Sequence, residues 1–255
     1  MDLGIRLYAH RGSSARLPEN TLEAFEQALD DGADALELDV HCSADGHVVV
    51  AHDPGGGRTA ERNALIRDSS LHELRDWDVG SGFDPNSGAK HAMPTLSEVL
   101  DRFGEVPMSI DLKPDDREAA ARLMQVLAEH DAEHRVIVGS FHDRLVYAMR
   151  RNGYPGPTAL ARGEIAALRL LPPVLSRRLA RGQAAMIPRR GAGFRLDRRG
   201  FIRRCRRLGL RVDYWVVNEP GAARLLLERG ATGIITDDPR RIVPVMEEFG
   251  RGRTT

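Results

Sequence analysis

Along the chain, short apolar runs rich in β-branched residues alternate with longer stretches whose apolar positions recur roughly every three to four residues. Ile5–His10 is the first short run. Asn20–Asp31 follows, with Leu22, Phe25 and Leu29 at helical spacing. Asn20 and Thr21 read as the cap of that helix, with Asn20 and Glu23 as a capping pair. Ala35–Val40 and, after a turn at Asp45–Gly46, His47–His52 read as further strands. Gly55–Gly56–Gly57 then opens a long polar stretch to about Met93 that holds one short helix at Leu71–Trp77. Pro94–Thr95–Leu96 starts a helix running to Phe103.

The same strand-then-helix unit repeats to the end of the chain. Val106–Leu112 pairs with Arg117–His130, and Arg135–Phe141 with Asp143–Asn152. Thr158–Ala161 is followed by a helix within Glu164–Arg181, and Ala184–Pro188 by Arg198–Leu208. Arg211–Val217 with Ala222–Arg229, and Gly233–Thr236 with Arg240–Phe249, complete the series. Gly32, Gly104, Gly153, Gly209 and Gly230 stand where helices end. Taking His47–His52 and the Gly-rich stretch as an excursion leaves eight units. Eight units in 255 residues predict an α/β fold of the (β/α)₈ TIM-barrel type. The expectation is one domain over residues 1–255, with an insertion at about 54–93. An open dinucleotide-binding sheet wants a glycine fingerprint after the first strand, and His10–Arg11–Gly12–Ser13 is not one.

Composition adds little to this and removes several functions. Hydrophobic residues make up 42% and charged residues 29%, ordinary for a globular protein. The formal net charge of +0 gives no global field to draw nucleic acid or a membrane. Lys90 and Lys113 are the only lysines, so a lone arginine carries little information here. Cys42 and Cys205 lack any paired spacing and read as buried or half-buried thiols of a reducing compartment. Met1–Arg6 has no secretory pattern, and no apolar run approaches the roughly 18 residues of a spanning helix. The expected location is the cytoplasm.

Barrel enzymes build their sites at the C-terminal ends of the strands. Polar residues gather there: His10–Arg11, Glu37 and Asp39, His52–Asp53, Asp111 and Lys113, Trp215 and Asn218, and Thr236–Asp237–Asp238. Glu37 and Asp39 are two apart on a strand, so both leave one face. Asp111 adds a third carboxylate. Such a set either holds a divalent cation or pairs with the plentiful arginines. His10 and His52 are suited to divide acid and base roles near neutral pH. Arg11 and Lys113 are placed to bind phosphate or to pair with Asp39 and Asp111. Trp215 walls a pocket or belongs to the core. Glu19 sits at a helix entrance. The remaining histidines, His41, His47, His72, His91, His130, His134 and His142, read as solvated.

In order, His10–Arg11–Gly12, Pro18–Glu19–Asn20–Thr21, Glu37–Leu38–Asp39 and His52–Asp53 resemble the signature of the glycerophosphodiester phosphodiesterase family. Pro94–Thr95–Leu96, Ile110–Asp111–Leu112–Lys113, Trp215–Val216–Val217–Asn218 and Gly233–Ile234–Ile235–Thr236–Asp237–Asp238–Pro239 continue it over nearly the whole chain. The resemblance implies a barrel enzyme that hydrolyses glycerophosphodiesters to glycerol 3-phosphate and an alcohol. It implies His10 and His52 as acid and base, and Glu37, Asp39 and Asp111 as ligands of one divalent cation (Mg²⁺ or Ca²⁺, with Mn²⁺ suitable). Arg11, Lys113 and Trp215 would contact phosphate or substrate, and residues 54–93 would be the small insertion beside the site. Two departures stand out. The family usually has Glu where this chain has Asp111, one methylene shorter, and a Thr-rich stretch where it has Gly55–Gly56–Gly57–Arg58–Thr59.

Two alternatives accompany that expectation. Residues 162–190 mix leucines with arginines and would suit a lysophospholipase D working at an anionic membrane surface. A barrel that binds phosphate esters but has lost turnover at Asp111 is the other.

Overall fold

The computed structural model describes residues 4–84, 88–191 and 193–250. The reading of the N-terminus at Met1–Leu3, part of the insertion (85–87) and the last five residues lie outside it. β1 (Arg6–His10), β2 (Ala35–Cys42), β4 (Met108–Leu112), β5 (Val136–Gly139), β6 (Ala184–Ile187), β9 (Arg211–Tyr214) and β10 (Gly233–Thr236) form one parallel sheet in the order β5-β4-β2-β1-β10-β9-β6. Thr158–Leu160 closes the gap between its ends. There Ala159 N donates to Val138 O and Leu160 N to Ala184 O, both at 2.8 Å, with parallel bridges from Val138 to Thr158 and from Ala159 to Ala184. Eight parallel staves among the described residues thus close the expected barrel.

β3 (Val48–Val50) doubles back on β2 antiparallel, with Val40 opposite Val50. The antiparallel hairpin confirms that His47–His52 is an excursion. Helices α1 (Leu22–Asp30), α3 (Leu96–Arg102), α4 (Arg117–Glu129), α5 (Asp143–Arg151), α6 (Arg162–Leu170), α7 (Pro173–Leu179), α8 (Arg199–Arg207), α9 (Pro220–Glu228) and α10 (Pro239–Glu248) accompany the sheet. α2 (Leu71–Arg75) lies in the insertion, and β7 (Arg190–Gly191) with β8 (Phe194–Arg195) makes a small hairpin.

Side-chain alternation along the strands explains why the fold forms and where its chemistry lies. In β2, Leu36, Leu38 and Val40 are buried with Phe25 of α1 and Leu100 of α3 in one apolar layer. In β9 and β10, Val212, Tyr214 and Ile234 do the same with α8, α9 and α10. The other parity faces the barrel axis, where Tyr8, Ala35 and Ile235 cluster with Met186 and Trp215. Glu37, Asp39, Asp111 and Asp213 share that inward parity.

Three local expectations change. The helix within 164–181 is two, α6 and α7, because Pro172 and Pro173 interrupt it. Thr21 alone caps α1, its hydroxyl accepting from Ala24 N at 3.2 Å. Asn20 precedes it in the left-handed region, at φ 59°, with its side chain turned to the barrel mouth. Gly32, Gly153, Gly209 and Gly230 follow their helices at positive φ, whereas Gly104 does not.

The insertion carries its own small core of Ala60, Ile66, Leu74, Trp77, Val79 and Met93 against Val49 of β3. Gly56 has a steric cause, since a Cβ there would lie 2.7 Å from the Trp77 ring, whereas a Cβ on Gly57 would meet nothing within 4 Å.

Candidate active site

The site starts from the turn after β1. Arg11 is left-handed at φ 58°, and Gly12 follows at φ 85° with no room for a side chain, since a Cβ would fall 2.6 Å from the Ala24 carbonyl carbon. The turn is clamped on both sides. Arg11 N donates to Glu37 O at 2.7 Å, and Asn20 N donates to Arg11 O at 2.9 Å. A strained, over-determined backbone of this kind aims side chains that an ordinary strand end would leave free.

Sheet register then sets the carboxylates. Glu37 lies opposite His10, and Asp39 opposite Asp111. Asp39, almost wholly buried, faces Lys113 Nζ at 2.7 Å and Arg11 Nε at 3.0 Å, the latter N–H not aimed along a hydrogen bond. Asn20 Nδ2 donates to it at 3.4 Å. Lys113 Nζ also reaches Asp111 Oδ2 at 2.7 Å. Burial raises the pKa of Glu37, and the charges of Asp39 and Asp111 push it the same way. Burial also raises that of Asp111, with Lys113 opposing and Asp39 assisting. For Lys113 burial works downward and is outweighed by Asp111 and Asp39, so its ammonium is held charged.

Each histidine is held by a carboxylate on Nδ1, leaving Nε2 to the cleft. His10 Nδ1 lies 2.6 Å from Asp237 Oδ1. Asn218 Nδ2 donates to the other oxygen of Asp237 at 2.6 Å, and Ser14 Oγ donates to Oδ1 at 3.2 Å. Burial works to lower the His10 pKa, but the Asp237 hydrogen bond and the Glu37 charge prevail and raise it. His52 Nδ1 lies 2.7 Å from Asp53 Oδ1. Arg58 of the insertion donates Nε to Asp53 at 2.6 Å and both terminal nitrogens to Glu19 at 2.9 and 2.7 Å. Burial opposes ionisation of Asp53, yet His52 and Arg58 hold its pKa down. Arg58 therefore ties the excursion that carries His52 to the turn that carries Arg11, which itself bonds Glu19 at 3.2 Å.

His10, Arg11, Glu37, Asp39, His52, Asp111, Lys113 and Trp215 all line one cleft of about 470 Å³. Trp215 meets Phe141 edge-on at 5.9 Å, and Lys113 Nζ sits 5.6 Å from the Phe141 ring centre, so both aromatics wall the cleft. Asp237, Asn218, Asp53, Glu19, Arg58 and Asn20 join these eight as supports. Asp237 and Asn218 stood at strand ends in the sequence, whereas nothing local marked Arg58. The solvated reading fails for three histidines. His41 is buried with Nε2 3.1 Å from His52 O, and His91 and His130 are largely covered.

The inward carboxylates are candidate ligands of a divalent cation. Among the described residues no three metal-ligating side chains converge on one point, because Arg11 and Lys113 hold Asp39 and Lys113 holds Asp111. Yet Glu37 Oε2 is buried without a hydrogen-bond partner. Three carboxylates line the cleft, Glu37, Asp39 and Asp111, beside the cations Arg11, Lys113, Arg162 and Arg169. The three are all-oxygen donors, which suit a hard cation, and the partnerless Glu37 oxygen is open to one. The donor set fits.

Fold and site together define a class: an α/β barrel whose mouth presents two oriented histidines and phosphate-suited cations, a hydrolase of charged esters. The family model described as the glycerophosphoryl diester phosphodiesterase family matches residues 10–241. A glycerophosphodiester phosphodiesterase of Caldanaerobacter subterraneus subsp. tengcongensis is 30% identical over 256 residues, covering 95% of this chain and 98% of the relative. A lysophospholipase D of Homo sapiens is 25% identical, covering 94% and 86%. The crystal structure of a glycerophosphodiester phosphodiesterase of Thermotoga maritima superposes with a TM-score of 0.74 at 26% identity, covering 94% of this chain and 98% of that one. The chain belongs to the glycerophosphoryl diester phosphodiesterase family and is a phosphoric diester hydrolase.

Proposed function

We propose that this protein hydrolyses glycerophosphodiesters to glycerol 3-phosphate and an alcohol, with His10 and His52 as the acid–base pair. One observation carries the reading: both histidines, each oriented by its own carboxylate, share one cleft with Arg11, Lys113 and the inward carboxylates. One imidazole takes the proton of the nucleophile, a water or a neighbouring glycerol hydroxyl, as its oxygen bonds to phosphorus. The other gives a proton to the alcohol oxygen as the phosphorus–oxygen bond to it breaks; if the glycerol hydroxyl attacks, a cyclic phosphate forms, and water then adds to phosphorus and opens the ring to glycerol 3-phosphate. Asp237 and Asp53 fix the tautomers, and Arg11 and Lys113 hold phosphate oxygens. Glu37, Asp39 and Asp111 would hold one Mg²⁺, Ca²⁺ or Mn²⁺ ion, which when bound supplies charge that offsets the phosphate's.

Phosphorus NMR of glycerophosphocholine digests tests this directly. The expected products are glycerol 3-phosphate and choline, with turnover abolished by a chelator and restored by added Mg²⁺ or Ca²⁺. Release of choline phosphate, or turnover indifferent to chelation, would overturn the reading.

A second substrate class has its own support. Phe141, Ile165, Phe194, Trp215 and Val216 give the cleft an apolar wall beyond the charged centre, and one relative is a lysophospholipase D. If that wall accepts an acyl chain, kcat/KM for lysophosphatidylcholine will exceed that for glycerophosphocholine. Equal or lower values leave the smaller diester as the substrate.

A further inference from the structure

The chain is neutral as a whole but strongly uneven. From Ile165 to Val212 it holds fourteen arginines and one acidic residue, Asp197. That carboxylate offsets little at the surface, since it is buried and faces Arg189, Arg195 and Arg229 at 3.6, 3.0 and 3.3 Å. The region nonetheless exposes four aliphatic side chains within ten residues. Leu170 is 60%, Val174 70%, Leu175 50% and Leu179 48% exposed. All four lie on α7 or at the end of α6, next to the exposed side chains of Arg177, Arg178 and Arg181.

This presentation is built into the fold. Ser176, between the exposed Leu175 and Arg177, is buried. Its hydroxyl meets the Arg204 guanidinium of α8 at 2.6 Å, and the same guanidinium bonds Leu171 O. That anchor pins one face of α7 inward and leaves the aliphatic and basic face outward. The patch is also continuous with the mouth of the barrel. Ile165, Ala166 and Arg169 of α6 line the catalytic cleft, and the Arg169 guanidinium lies 5.5 Å from the centre of the Phe194 ring on the β7–β8 hairpin.

We infer that α7 and the end of α6 dock the protein on a bilayer surface rich in anionic phospholipid. Aliphatic side chains left in water gain by entering the interfacial region, and exposed arginines gain from anionic headgroups. Exposed leucine and valine offer a single-stranded nucleic acid no ring to stack on and add nothing to the phosphate contacts of a duplex. The inference does not depend on which diester the cleft cuts, because its readout is membrane binding and not turnover.

Flotation with vesicles of phosphatidylcholine, with and without phosphatidylglycerol, tests it on the full chain. Binding is expected only to the anionic vesicles, and to weaken as salt is raised. Two double variants, Val174→Glu with Leu175→Glu and Arg177→Glu with Arg178→Glu, should each reduce it by at least about tenfold. All four side chains are exposed and outside the catalytic cleft. Unfolding temperature and turnover of glycerophosphocholine are therefore expected to match the wild type, and this separates lost docking from lost folding. Absent vesicle binding, equal binding to neutral vesicles, or unchanged binding by both variants would overturn the inference. So would a wild-type dimer that Val174→Glu dissociates, because a second copy would then cover the face.

Discussion

Replacing His10 or His52 by alanine is expected to cut kcat on glycerophosphocholine by about 10²- to 10⁴-fold, the usual worth of a positioned general acid or base. The protein should stay folded in both cases. His52 is about one-third exposed and His10 borders the same cleft, so neither truncation opens a hole in the apolar layers. The double variant should lose less than the product of the single losses, because the two groups serve one displacement. An ester with an activated leaving group, such as a nitrophenyl phosphodiester, separates the roles. A nitrophenolate departs without a proton, so the variant lacking the acid regains much of its rate on that substrate, whereas the variant lacking the base does not. Asp237→Asn should cost less than His10→Ala, since it leaves the imidazole present and weakens only its hold on Nδ1. Near-normal turnover by both single alanine variants in folded protein would remove the proposed mechanism.

The second large effect belongs to the opposite end of the barrel. Arg211 and Asp213 are wholly buried and paired at 2.9 Å, with Arg211 also donating to Gly4 O and Thr232 O at 3.0 Å. Thr232 Oγ1 donates to Asp213 Oδ1 at 2.7 Å. The pair fills the interior beside Gly233, where a Cβ would lie 2.5 Å from Asp213 Oδ1. Asp213→Ala takes from a wholly buried guanidinium the carboxylate that it meets at 2.9 Å and is expected to lower stability by roughly 3–5 kcal/mol. In a chain of this size that amounts to a fall in Tm of roughly 10 °C. Replacing both partners, Arg211→Met with Asp213→Leu, should cost less than Asp213→Ala alone, because the buried guanidinium then leaves together with its carboxylate. Turnover per folded molecule should hardly change, as neither residue reaches the cleft. Denaturant unfolding with activity at low denaturant checks both halves. A double variant less stable than Asp213→Ala would show that shape and the Thr232 bonds, rather than charge, hold that end together.

Most of the barrel was legible in the sequence because its cause is local. A strand half-turned to an apolar layer must alternate, and a helix lying on the sheet must repeat its apolar face. Those periods placed β1, β2 and β10 nearly to the residue. They also placed Glu37, Asp39 and Asp111 on the inward parity, where the eight singled-out residues share one cleft. The boundaries were less legible where hydrogen bonds rather than side chains decide. Val106–Leu112 reads as one strand, but its ladder starts at Met108, and Thr158–Ala161 contributes only single bridges. The α6–α7 break follows from two prolines that a general helical period passes over.

The tertiary structure alone decided what supports those residues. Asp237 meets His10 across 227 positions, and Arg58 meets Glu19 across 39. Neither contact leaves a trace in local spacing, because both arise from closure of the barrel and from the fold-back of the insertion onto Trp77. The same holds for Asn20, which reads as a helix cap and turns instead to Asp39. It holds also for His41, which lies on a strand like its neighbours but is buried under the His52 carbonyl. The neutral net charge, too, conceals a basic and aliphatic face that exists only once α8 pins Ser176. By itself the sequence determined the fold, the family and the inward side chains, since alternation and motif order are properties of the chain read in line. Which carboxylate orients which histidine, and which arginines face outward beside α7, depended on distant segments meeting, and only the closed barrel brings them together.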